Sequence, residues 1–114
     1  MILSMVQLFG PICVDPEDGG RLCSEIHALL DSGDSVCLDF CGVSTVTSSF
    51  LNTAIGCLYA GYQPNELAAR LSYTGLDPTD EAILGLVQSN AIRYFTAPPA
   101  IRERLEAINA SEKV

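Results

Sequence analysis

Five hydroxyl residues fall within six positions of one segment. Ser44, Thr45, Thr47, Ser48 and Ser49 lie in the stretch VCLDFCGVSTVTSSFLNTAIGCLYAGY, residues 36–62, which begins as a strand and ends as a helix. A hydroxyl at such a joint has two uses. It can accept one of the backbone amides that a helix start leaves unpaired. It can also carry a phosphate, whose charge of about −1.5 to −2 meets free N–H groups there. Asp39 lies near the C-terminal end of the preceding apolar strand. An unpaired buried carboxylate is costly, so Asp39 is expected to order the following loop with Gly42. It would accept from amides around Gly42 to Thr45 or from a hydroxyl. His27 is the single histidine, falls off the apolar face of its helix, and reads as a surface residue. Arg21 reads as a partner of Glu17 or Glu25 one helical turn away.

Other chemistries lack their residues. There is no GxSxG, no second acid or base beside Asp39 and no CxxC, so no catalytic residue and no metal ligand is assigned. The expectation is a non-enzymatic protein without cofactor. The DGG at residues 18–20 lacks the spacing of a nucleotide-binding loop. The cysteines Cys13, Cys23, Cys37, Cys41 and Cys57 are odd in number and irregularly spaced, which argues against a disulfide framework. They read as small apolar packing groups in a reducing compartment.

The elements that must position the hydroxyls follow from punctuation and periodicity. The chain has 114 residues, 48% of them hydrophobic, enough for one domain with its own core. A single domain is expected over residues 1–110, with a frayed tail at 111–114. MVQLF (Met5–Phe9) reads as a first strand. Asp15 then caps a helix that carries Pro16 in its first turn and Leu22, Ile26, Leu29 and Leu30 on one face. SVCLDF reads as a buried central strand. Leu51, Ala54, Ile55 and Leu58 give a second amphipathic helix, closed by Gly61 and Pro64, with Tyr59 and Tyr62 at its end. ELAARLSY (Glu66–Tyr73) is expected to be a strand. Asp77 and Pro78 open a third helix that Asn90 stops, IRYF forms a last strand, and APPAIRERLEAIN forms a fourth helix. Alternating strands and helices imply an α/β fold with a largely parallel sheet.

Charge narrows the partners. There are 14 acidic and 6 basic residues, a net charge of −8. Up to Cys57, Asp15, Glu17, Asp18, Glu25, Asp31, Asp34 and Asp39 face only Arg21. Nucleic acid rewards the opposite sign, and no apolar run approaches the length of a membrane span. MILSMVQLFG lacks the basic start of a signal peptide. The expectation is a cytoplasmic protein that binds neither nucleic acid nor membrane.

The same residues resemble a family. VCLDFCGVSTVTSSFLNTAIGCL looks like the signature of STAS domains, the anti-sigma-factor antagonist fold. That signature is an apolar strand ending in Leu-Asp-Leu or similar, a spacer with a Val-Ser-like pair, then Asp-Ser-Ser-Gly opening a helix. RLSYTGLDPTDEAILGLVQSNAIRYF resembles the family's following strand, Gly-Leu turn and helix, and APPAIRERL its closing helix. The likeness runs from about Met5 to Leu105 and is nearest to a divergent STAS-like group of small prokaryotic domains. It implies a four- to five-stranded, largely parallel sheet covered by about four helices. It also implies an anti-sigma factor antagonist-like regulator, whose partner is an anti-sigma factor that is itself a histidine-kinase-like ATPase and serine kinase. Phosphate on a serine at the start of this helix would block that partner.

Matched residue by residue, Thr47 stands at the family's Asp, Ser48 at its first serine and Ser49 at its second. Ser49 is then the candidate phosphoacceptor, with Ser48 second. Thr47, Ser48, Ser49, Asn52 and Thr53 are the candidate partner-binding residues. Two positions depart from the pattern: Thr47 lacks the carboxylate, and Phe50 replaces a small Gly. Phe50 shares a helical face with Ala54 and is expected to pack inward. Two further readings stand beside the first: a self-associating scaffold or assembly subunit without phosphorylation, and a module for a small anionic ligand or nucleotide; a second copy in a homodimer is counted among the candidate partners.

Overall fold

The computed structural model describes residues 1–96. In chain order the elements are β1 (Ile2–Ser4), α1 (Met5–Phe9), β2 (Ile12–Cys13), α2 (Pro16–Asp31), β3 (Val36–Asp39) and β4 (Thr45–Val46). They continue with α3 (Ser48–Ala54), a 3₁₀ turn (Gly56–Ala60), α4 (Pro64–Arg70), β5 (Leu71–Thr74) and α5 (Pro78–Thr96). Every strand pairing is parallel, in a three-stranded sheet of order β1-β3-β5 and a two-stranded ladder of β2 and β4. The mixed α/β class and the parallel pairing match the expectation, and the described residues hold five strands. The division into two sheets is new.

The central place of β3 follows from its composition. Val36 and Leu38 point into the core, 1% and 0% exposed, while Cys37 and Asp39 alternate onto the other face and are half-buried. α2 begins as the sequence indicates. The Asp15 carboxylate accepts the Glu17 amide at 2.9 Å, and Pro16 occupies the first helical position. Its Leu22, Ile26 and Leu30 are buried and meet Phe40, Phe50, Leu51 and Ile55 in one cluster.

Several boundaries differ from the sequence reading, each for a local reason. Met5–Phe9 is a helix, and the first strand is the three residues before it. Ser4 accepts the Gln7 amide at 3.3 Å and caps α1, placing Met5 and Phe9 one turn apart on its inner side. Glu66–Tyr73 splits into helix and strand. Pro64 and a hydrogen bond donated by the Gln63 backbone amide to the Glu66 carboxylate (3.3 Å) start α4, and only Leu71–Thr74 joins the sheet. α5 runs through Asn90, which is exposed and interrupts nothing. The buried stripe of Leu84, Val87 and Ala91 continues past it, so IRYF, Ile92 to Phe95, is helical instead of the expected strand. The helix expected within APPAIRERLEAIN and the tail at 111–114 lie outside the described residues. Among the described residues, no helix is long and apolar enough to cross a membrane.

The cysteines are also corrected. Cys23 on α2 and Cys57 in the 3₁₀ turn form a disulfide, leaving Cys13 buried, Cys37 half-buried and Cys41 exposed as free thiols. Sequence spacing hides this pair because the two residues are 34 apart and meet only through helix packing. Arg21 pairs with Asp18 at 3.7 Å rather than with Glu17 or Glu25. Both ends of that pair reach solvent, so it adds little.

Candidate functional site

The hydroxyl run sits where two pairings converge. β3 ends at Asp39, and the chain turns through residues 40–44 into β4, which pairs with β2 in the register Ile12 to Thr45 and Cys13 to Val46. The Thr47 amide donates to the Cys13 carbonyl at 3.2 Å, and this bond fixes the backbone just before α3. Ser44 is tied to the same edge. Its amide and hydroxyl both donate to the Pro11 carbonyl, at 2.8 and 3.1 Å.

Thr47 then caps α3. It is in extended backbone, and its hydroxyl accepts the Phe50 amide at 3.3 Å. Ser48 and Ser49 are the first two residues of the helix proper, and both are exposed. Among the described residues, neither side-chain hydroxyl takes part in a hydrogen bond. Phe50 turns inward, fully buried, with its ring edge-on to Phe9 at 5.7 Å between centroids. Asn52 is exposed. Thr53 is half-buried, and its hydroxyl donates to the Ser49 and Phe50 carbonyls at 3.2 and 3.0 Å, on the side that faces α2. The candidate residues therefore divide: Ser48, Ser49 and Asn52 present side chains outward, while Thr47 and Thr53 serve the backbone.

Asp39 orders the loop at its root. Its carboxylate accepts the Cys41 amide at 2.9 Å and the Thr74 hydroxyl at 3.4 Å. These bonds favour the charged form, so the Asp39 carboxyl is held below its ordinary value, chiefly by the Cys41 amide. The Cys41 thiol beside it is pushed up by the same carboxylate. The amides of Val43, Ser44 and Thr45 take other partners: Val43 donates to the Phe40 carbonyl, and Ser44 and Thr45 to that of Pro11. Gly42 has φ +87, and Gly75, at φ +79, packs against the same loop. A Cβ on Gly75 would lie 2.4 Å from the Cys41 amide nitrogen, so β5's exit and β3's exit are locked together only while position 75 has no side chain. Ser4, Asp39 and Thr74 are in register across the three strands at this end of the sheet.

A second polar group lies at the far end of α2. The Tyr62 hydroxyl donates to Asp31, His27 Nδ1 is 3.0 Å from the same carboxylate, and the His27 and Tyr62 rings meet edge-on at 5.5 Å. Arg70 lies over the Tyr62 ring, 6.0 Å from its centroid. Tyr62 is the first cause of a lowered Asp31 carboxyl, and Asp31 in turn raises the Tyr62 phenol. The i, i+4 spacing of His27 and Asp31 is legible in the sequence; the contribution of Tyr62, from a segment beyond α3, is not. A groove of about 400 Å³ lies elsewhere, between α4 and α5, with Tyr59, Tyr73 and Gln88 in its wall.

With this geometry in place, the comparison with known families is decisive for the fold. Residues 18–81 match the family described as a STAS-like domain of unknown function (DUF4325), which is more than half of the chain. The chain belongs to this family. The matched region of this STAS-like chain runs from the first turn of α2 to the first turn of α5 and contains β3, Asp39, the hydroxyl run and α3. No curated protein and no solved structure matches the sequence.

Proposed function

We propose that this STAS-like domain is a non-enzymatic regulatory module that binds a protein partner through the outer face of the β4–α3 joint. Phosphate on Ser49 switches it off. The observation that carries this reading is the division of labour among three adjacent hydroxyls: Thr47 caps α3, and the Ser48 and Ser49 hydroxyls stand exposed with no hydrogen bond among the described residues. Thr47 supplies the cap, which leaves the Ser48 and Ser49 hydroxyls to the surface. Ser48, Ser49 and Asn52 form the contact surface. The partner is a serine kinase or histidine-kinase-like ATPase of the anti-sigma-factor type, and it carries positive charge toward the acids at the start of α2. The partner offers no basic pocket to Ser49 itself, so a phosphate there meets only neighbouring acids and weakens the complex.

The test is binding of a serine kinase or histidine-kinase-like ATPase from the protein's own host to variants at position 49. Ser49→Asp should lower affinity by about tenfold or more, a loss of about 1.4 kcal/mol, and Ser49→Ala should leave it near the parent's. Equal affinity for Ser49→Asp and the parent overturns the reading.

A second reading, self-association without phosphorylation, rests on a different observation. Ile12 is 56% exposed on the strand that pairs with β4, and Val14 and Leu8 are 41% and 42% exposed nearby in sequence. Sedimentation velocity separates the two readings: a stable dimer that Ile12→Ser dissolves favours assembly.

A further inference from the structure

Gly19, Cys23, His27 and Asp31 recur every four residues along α2 and make one stripe on its surface. The stripe lies against the chain that forms α3 and the 3₁₀ turn. A Cβ on Gly19 would come 2.0 Å from the Thr53 hydroxyl and 2.7 Å from the Phe50 carbonyl. Cys23 is joined to Cys57. A Cβ on Gly61 would lie 3.3 Å from His27 Nε2, and Tyr62 donates to Asp31. Cys23 and Cys57 are 34 residues apart, and the contacts of Gly19 with Thr53 and of His27 with Gly61 repeat that offset. The two segments thus run side by side in the same direction, and the disulfide sits mid-way along their seam.

We propose that Cys23 and Cys57 are a thiol–disulfide exchange site at which a dithiol reductant releases the 3₁₀ turn from α2. Both cysteines are half-buried at the edge of the core, not enclosed within it. A thiolate of the reductant attacks one sulfur, the Cys23–Cys57 bond breaks, and a mixed disulfide forms. The reductant's second thiol resolves it. Two electrons and two protons pass to Cys23 and Cys57, which become thiols, and the reductant leaves as its disulfide. The seam then keeps only its non-covalent contacts: the close approach at Gly19 and the His27–Asp31–Tyr62 group. Cys57 lies three residues beyond the end of α3, so release frees the C-terminal support of the helix whose first turn carries Ser48 and Ser49. Cys13, Cys37 and Cys41 lie off the stripe and take no part. This inference does not depend on phosphorylation of Ser49.

The experiment is amide hydrogen exchange on the full chain, equilibrated first in air-saturated buffer without added thiol and then with dithiothreitol, with thiols counted by alkylation under denaturing conditions. The expected result is three alkylated cysteines before reduction and five after, the three being the free thiols Cys13, Cys37 and Cys41. Exchange across residues 51–62 should then rise by about tenfold or more on reduction, while the slowest amides of β3 change less. The Cys23→Ser/Cys57→Ser variant should show the fast exchange without reductant and no response to it. Five alkylated cysteines after oxidation, unchanged exchange on reduction, or an equal change in all elements would each overturn the proposal.

Discussion

The Thr47 hydroxyl accepts the amide of Phe50 at 3.3 Å, and this single bond assigns the hydroxyls around it. The STAS signature has a carboxylate at the position of Thr47, and Asp and Thr are both good helix caps. The apparent departure therefore keeps the structural role while removing a negative charge. Phe50, the second departure, fills the core beneath the cap, where the signature's Gly has no side chain.

Removing the cap should be felt in stability. Thr47→Ala is expected to lower unfolding free energy by about 1 kcal/mol, read by denaturant titration. Thr47→Asp should stay close to the parent, and Ser48→Ala should change stability by less than about 0.5 kcal/mol. A large loss from Ser48→Ala would reassign the cap.

Phe50 anchors the same turn from inside. It is fully buried against Phe9, so Phe50→Ala should cost about 3 to 5 kcal/mol. Phe50→Leu should retain much of that. A substitution without thermal effect would place the ring at the surface.

At Gly19, α2 packs directly against the backbone of α3. An added methyl meets the Phe50 carbonyl at 2.7 Å as well as the Thr53 hydroxyl, and a backbone carbonyl cannot rotate away. Gly19→Ala should therefore destabilise by about 1 to 3 kcal/mol, although alanine is the better helix former. Gly20 has open space, so Gly20→Ala should hold or raise the melting temperature.

Acid should weaken the loop through Asp39. Its carboxyl holds its proton less tightly in the folded chain than its ordinary value of 3.8, because of the Cys41 amide and the Thr74 hydroxyl. The unfolded chain then binds the proton at higher pH, so this stabilisation is complete above that ordinary value and is lost as pH falls through the depressed one. Asp31, lowered by Tyr62, acts with the same sign. Melting temperature followed from about pH 5 down to pH 2 should fall less steeply in Asp39→Asn than in the parent.

Much of this arrangement could be read from residue types. The Asp15 cap, the buried face of α2, the central β3 and the inward turn of Phe50 each depend on neighbours within one or two turns. Sequence and structure part where a cap, a strand pairing or a buried neighbour outside the local pattern decides the outcome. Met5–Phe9 satisfies a strand pattern as well as a helix pattern, and only the Ser4 cap and the place of β1 beside β3 select the helix. Asn90 ends helices in general, yet the buried Ala91 carries α5 past it. Cys23 and Cys57 look unrelated until α2 lies along the α3 segment. For the site, the position of the hydroxyl run was legible, but which hydroxyl caps was not. That depends on the Cys13–Thr47 backbone bond, which sets where α3 begins.

The central claim is that Ser49 is the regulated hydroxyl, and the most direct measurement is intact mass with peptide mapping over residues 36–62 of protein purified from its own host. The account predicts a phosphate on Ser49 under some growth conditions, lost in Ser49→Ala and retained in Thr47→Ser. Unmodified protein under every condition tested, together with full partner binding by Ser49→Asp, would contradict it.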